Sequence, residues 1–152
     1  MKAADKAYND IMYSVLPEKI QEENVKLLVN AKDYDNRKFI MDDRADWNWH
    51  YKARVLLLRG YPRVKDVIPE LYYWLQDINW PGADVIMELL STLPRDVLVS
   101  SFEEATEKAI KARDYSWMEF LYMFAEDNNI TESDFKNKEF FRHIEDFYKS
   151  LD

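Results

Sequence analysis

The chain has 152 residues, 47% hydrophobic and 33% charged, with a net charge of −8 and no cysteine. This balance describes one packed domain and excludes a disordered chain. It also removes disulfides, thiol catalysis, zinc–thiolate sites and iron–sulfur clusters. Acidity opposes nucleic-acid binding, which depends on counterion release by Lys and Arg. With only Gly60 and Gly82, the multi-glycine loops that close backbone N–H groups on phosphates cannot be built, so nucleotide binding by those routes is excluded.

In chain order, Ala4, Ala7, Tyr8, Ile11, Met12 and Val15 fall at helical spacing and predict a first helix. Pro17 suits the first turn of a second, where its missing N–H loses no bond. Ile20, Leu27, Leu28 and Ala31 read as that helix's buried stripe. The polar run 32–36 predicts a loop and Arg37 to Ala45 a short helix. A helix from about Trp49 to Arg59 follows, stopped by Gly60 with Pro62 beyond.

The next pair spans about Asp66 to Gln76, with Ile68, Leu71, Trp74 and Leu75 inward, and Trp80 to Thr92. A third pair spans about Asp96 to Arg113, with fraying near Ser100-Ser101, and Trp117 to Glu126. Thr131 opens the last helix, in which Phe140, Ile144, Phe147, Tyr148 and Leu151 recur at helical spacing. Nothing alternates with period two. The expected fold is all-α, an irregular HEAT-like stack of about eight or nine helices in antiparallel hairpins. One domain covers 1–152, with a repeat core at 61–128, N-terminal helices over 1–60 and a C-terminal helix over 131–152.

Three stretches resemble one another: Asp46-Trp47-Asn48-Trp49, Asp77-Ile78-Asn79-Trp80 and Asp114-Tyr115-Ser116-Trp117. Their starts lie 31 and 37 residues apart, a helical-hairpin period. Asn48, Asn79 and Ser116 stand where N-caps belong, and Ser116 with Glu119 matches a capping box. Pro81 suits a first helical turn. Each Asp can bond the local turn backbone, and each Trp supplies an apolar body at the corner. Recurrence in register marks these residues as structural and not as a catalytic site.

The run Ile68-Pro69-Glu70-Leu71, Leu75-Gln76-Asp77 and Trp80 resembles the helix–turn–helix unit of HEAT-like repeats. Leu71 to Pro81 resembles the signature L-x-x-W-L-Q-D-x-N-W-P of a small bacterial family known only as a domain of unknown function, with weaker similarity over 61–128. Gly82-Ala83 departs from the Val-Ala usual there. The resemblance implies an α-helical repeat fold and no established activity.

No pattern implies a cofactor or metal. His143 and Asp146 stand at i, i+3, but HExxH is absent. Asp33 and Asp35 begin like a calcium loop, yet no glycine follows at the turn and Arg44 stands where a bidentate Glu belongs. Carboxylate pairs such as Asp42-Asp43 read as solvated helix faces. No stretch nears the ~18 apolar residues of a membrane span, and no apolar run follows Met1-Lys2, so a cytoplasmic protein without nucleic-acid or membrane partners is expected.

Solenoids bind partners along inner helices. The expected outward residues there are Asp84, Glu88, Glu119, Tyr122 and Glu126, with Tyr73 exposed on the preceding helix. They predict an acidic, partly aromatic surface for a basic protein, and hence a non-enzymatic binding module such as an immunity protein. The alternative is an enzyme or small-ligand binder with an inter-helix pocket, and self-association is a third role.

Overall fold

The spacing of apolar residues at threes and fours is answered by eight α-helices among the described residues, with no strand. The computed structural model of the protein describes residues 2–43 and 46–152; Met1, Arg44, Ala45 and the side chain of Asp46 lie outside it. The helices are α1 (Ala3–Tyr13), α2 (Glu18–Val29), α3 (Trp49–Arg59), α4 (Ile68–Leu71), α5 (Ala83–Ser91), α6 (Arg95–Ala112), α7 (Tyr115–Asp127) and α8 (Lys138–Lys149). They stack in order: α1 on α2, α2 on α3 and α3 on α5. Segment 68–76 joins this layer to α6 and α7, and α8 closes the far end against both.

Helix α2 turns a different face inward from the one its apolar residues suggest. Ile20 and Leu27 are exposed, while Gln21, Val25 and Leu28 are buried. The cause is a polar demand. Gln21 Nε2 donates to the carbonyls of Asp10 and Ser14, both at 2.9 Å, adding a second bond to Asp10 O beside that from Ser14 N and giving Ser14 O a donor just past the end of α1. Val15, counted with α1, lies beyond its last residue and is exposed.

Gly60 ends α3 with φ +67°, as expected of a helix stop. Gly82 precedes α5 with φ +89°. A Cβ there would stand 2.8 Å from the Trp49 carbonyl oxygen and 2.9 Å from Ala53 Cβ. Only a residue without a side chain lets α5 approach α3 this closely.

Segment 68–76 starts as an α-turn and tightens to a 3-10 helix from Tyr72 to Gln76. Leu71, Tyr72, Trp74 and Leu75 are all completely buried. The segment therefore crosses the core, where Tyr72 meets Phe102 and Phe124 at 6.3 and 6.4 Å. Helix α6 is continuous through the serines expected to fray. Ser101 Oγ donates to Val97 O at 2.7 Å, inside the helix. The short helix expected over 37–45 is a single 3-10 turn at Asn36–Phe39, and Arg44 and Ala45 lie outside the described residues. Thr131 opens a capped 3-10 turn at Glu132–Asp134, and α8 begins only at Lys138. Leu151 falls past its end and is exposed.

The three similar stretches start helices in three different ways. Trp49 begins α3, but Asn48 lies buried and donates to Met12 O at 3.4 Å instead of capping. After the second stretch, α5 begins only at Ala83. Asn79 caps nothing, Pro81 precedes the helix, and Asp77 Oδ1 accepts from Asn79 N at 2.9 Å. In the third, Asp114 is the cap: its Oδ1 accepts from Trp117 N at 3.1 Å, and Ser116 already lies within α7. The expected Ser116–Glu119 box does not form. Where the side chain is described, aspartate is the residue that holds the turn. It sits two positions further out than the expected Asn or Ser cap, and its carboxylate accepts from an N–H two or three residues on. The side chain of Asp46 lies outside the described residues.

Candidate functional site

Surface grooves differ in whether their polar groups are already satisfied. One of about 750 Å³ runs along α6 beside 134–136. Its charges hold the fold together. Glu103 accepts from the backbone N–H groups of Lys136 and Asn137 at 2.7 and 3.0 Å. Arg95 donates to Asn128 O and Asn129 O, both at 2.7 Å, and pairs with Asp134 at 3.1 Å. Glu104 and Glu107 pair with Lys108 and Lys111 one turn on. This groove is a seam that fastens the 128–137 connection to α6.

A second pocket, about 350 Å³, lies where residues 40–43, α3 and segment 68–76 meet. Its lining includes Asp42, Asp43, Trp49, Glu70, Tyr73 and Gln76. Three of these come from positions 70, 73 and 76. In a 3-10 helix residues three apart eclipse one another, so the tightening after Leu71 aligns Tyr73 and Gln76 along one edge. Opposite them, Trp49 stands at the first turn of α3, its ring 5.5 Å from Trp80 in a T-shaped contact.

One wall rests on a buried ion pair. Lys52 follows Trp49 by one helical turn and its side chain is 2% exposed. Its ammonium donates to Asp42 Oδ2 at 2.8 Å and to Ile40 O at 3.2 Å. Trp49 Nε1 donates to the other oxygen of Asp42 at 3.5 Å. The pair thus fixes the 40–43 connection against α3, since an unpaired ammonium at that depth would carry a large desolvation cost.

The opposite wall carries an unmet demand. Glu70 Oε1 accepts from Arg37 Nη1 at 3.0 Å, and that carboxylate holds the Arg37 guanidinium above its usual pKa. Glu70 Oε2 is buried and has no hydrogen-bond partner. A buried acceptor in this condition costs about 1–3 kcal/mol. Three carboxylates, two aromatic faces and a carboxamide around one cavity suit an organic cation, which can bond to carboxylate and rest on aromatic rings.

The residues expected from sequence to form an acidic surface are divided. Asp84, Glu88 and Glu126 are exposed, and Glu119 is half-buried. Asp84 and Glu88 stand on α5 against α3, whereas Glu119 and Glu126 stand on α7 against α6 and α8. Tyr122 is a correction. It is 7% exposed, its ring 4.7 Å from Tyr148 and its hydroxyl donating to Glu145 at 3.3 Å. Helix α8 covers that face of α7, which the hairpin expectation left open. Tyr73 is half-buried against Trp117 at 5.4 Å, and of the six it alone lines the pocket. Among the described residues no three of His, Asp and Glu converge as a metal site. His143 and Asp146 are exposed on α8.

Lys52, Asp42, Glu70 and Gln76 were not singled out as site residues by sequence. Lys52 had a usable signal, a lone lysine on the stripe Trp49, Ala53, Leu56. Asp42 had none, because its partner lies across the fold.

Fold and pocket define an all-α helical stack with an acid-lined cavity between its helices. The chain belongs to the family described as Domain of unknown function (DUF5071), whose model matches residues 50–150. The match extends past the 61–128 resemblance at both ends and takes in α8. Lys52, Glu70, Tyr73 and Gln76 fall inside it, while Asp42, Asp43 and Trp49 lie just outside. No curated protein and no solved structure matches the chain. No helix in the described residues is long and apolar enough to cross a membrane.

Proposed function

We propose that the protein is a non-enzymatic, cytoplasmic binding module of helical-repeat type for a basic protein, and that the Glu70 pocket receives a basic side chain of that partner. The observation that carries this reading is Glu70 Oε2, buried without a donor on the wall of a carboxylate- and aromatic-lined cavity. A guanidinium entering there would supply the missing donor and lie against Trp49 or Tyr73. The net charge of −8 favours encounter with a cationic surface. A concrete form is an immunity protein that neutralises a basic nuclease toxin.

The test is binding of the protein encoded in the adjacent reading frame, at moderate salt, to wild type and to Glu70→Gln. A charge-assisted bond lost from a buried site should weaken binding by about tenfold or more. Equal affinity for both proteins would remove the pocket from the interface. A neighbour that is not a toxin and does not bind would sink the immunity form.

A second reading is favoured by the size of the pocket, which falls within the range of small-ligand sites, about 300–1,000 Å³. An enzyme or ligand carrier would use the same convergent groups. Thermal stabilisation by free arginine or a diamine, without any protein partner, would support it over the first reading.

A further inference from the structure

The acidic surface contains a cationic pocket, about 370 Å³, between residues 31–36, the end of α3 at Arg59 and residues 62–66. Four cationic side chains line it, Lys32, Arg59, Arg63 and Lys65, against two carboxylates, Asp35 and Asp66. The carboxylates are turned to the protein's own donors. Asp35 Oδ1 accepts from Arg37 N at 3.1 Å, and Asp66 Oδ1 from Asn36 Nδ2 at 2.7 Å. The cations are not so engaged. Lys32, Arg63 and Lys65 are exposed, and among the described residues none of them forms an ion pair.

Arg59 forms the floor. Its guanidinium donates to the carbonyls of Leu28, Ala31 and Tyr34 and to Asn36 Oδ1, at 2.6–3.3 Å. These are neutral acceptors, so its charge has no bonded counterion. Burial first, and then the charge of Arg63, push its pKa down to about 10, still a cation at neutral pH. A cation half-withdrawn from water and repelled by a neighbour gains from any anion brought near it.

We propose that this pocket is a binding site for a small, multiply charged oxyanion of the phosphate class, held by Arg63, Lys65 and Lys32 above the fixed charge of Arg59. The site is independent of the Glu70 pocket and selects the opposite charge. Its rim cations are on flexible, exposed side chains that can converge on a phosphoryl group, while Arg59 is immobilised by four bonds.

The test uses inorganic pyrophosphate as probe, with calorimetric titration and thermal melting of the full chain at low ionic strength. Saturable binding is expected, with a raised melting temperature and affinity that falls as sodium chloride is added. The variants Arg63→Ala and Lys65→Ala alter exposed side chains and leave Arg59 and the fold in place. Each should weaken binding by about fivefold, corresponding to one lost charge-assisted contact. Lys19→Ala, exposed on α2, should bind as wild type. Absence of saturable binding overturns the proposal. So does equal affinity of the rim variants and wild type, or binding to phosphatidylserine vesicles with none to pyrophosphate.

Discussion

Removing Asp42 from beneath Lys52 should destabilise the fold more than removing Lys52 itself. The ammonium is 2% exposed and the carboxylate 32% exposed, so the two ends of the pair differ in access to water. In Asp42→Ala the lysine remains at depth with only Ile40 O at 3.2 Å. Stranding one member of a buried pair costs about 3–5 kcal/mol. The solvent-facing carboxylate side allows some water in, which sets the expectation at ~3 kcal/mol. At about 2–4 °C per kcal/mol for a chain of this size, the melting temperature falls by about 6–12 °C. In Lys52→Met the stem volume is kept and Asp42 turns to the pocket and water, at a cost of about 0–1.5 kcal/mol.

The decisive comparison is the double variant. Adding Lys52→Met to Asp42→Ala removes the stranded cation and should restore about 1.5–3 kcal/mol of the loss. Urea unfolding followed by far-UV circular dichroism measures all four proteins, provided the slope with denaturant stays constant. A double variant no more stable than Asp42→Ala alone would refute the reasoning. So would a Lys52→Met protein as damaged as Asp42→Ala.

Three further outcomes are expected. Gly82→Ala should cost about 2–4 kcal/mol, from left-handed strain plus the clash with Trp49 and Ala53, and Gly60→Ala less, because its nearest neighbour is 3.7 Å away; equal losses in urea melts would contradict this. Asp114→Ala should cost ~1 kcal/mol as a lost cap and Ser116→Ala under about 0.5 kcal/mol, with the reverse order restoring serine as the cap. Finally, Tyr34 is raised to about 12, chiefly by its bond to Asp5, and Tyr72 is raised by burial. Unfolded tyrosines ionise near 10, so the folded state keeps these protons longer. Their contribution is complete below pH about 10 and is lost as pH climbs toward 12. Urea midpoints across that window should fall, and less steeply in Tyr34→Phe. A midpoint that stays flat, or the same slope in both proteins, would count against it.

Much of the fold is legible in residue order. The positions of α3, α6 and α7, the stop at Gly60 and the inward set Ile68, Leu71, Trp74 and Leu75 follow from periodicity and punctuation, which act within a few residues. The faces of α2 and α7 do not. Gln21 goes inward because its amide bonds the carbonyls at the end of α1, and Tyr122 because α8 returns to cover it. Both are decided by a contact with another helix, which the periodicity of their own helix does not carry. The same holds for the caps, where the three-residue reach of Asp114 looks identical on paper to that of Ser116.

For the three Asp-x-Asn/Ser-Trp stretches, sequence alone determined that helices turn there, since spacing and residue type are local properties. Only the tertiary structure decided how each turn is made. It also brought Trp49 and Trp80 together from two of them, and placed Asp42, held by the buried Lys52, and Glu70 around one cavity. Burial and ion pairing depend on which surfaces meet, and that information is spread over the whole chain.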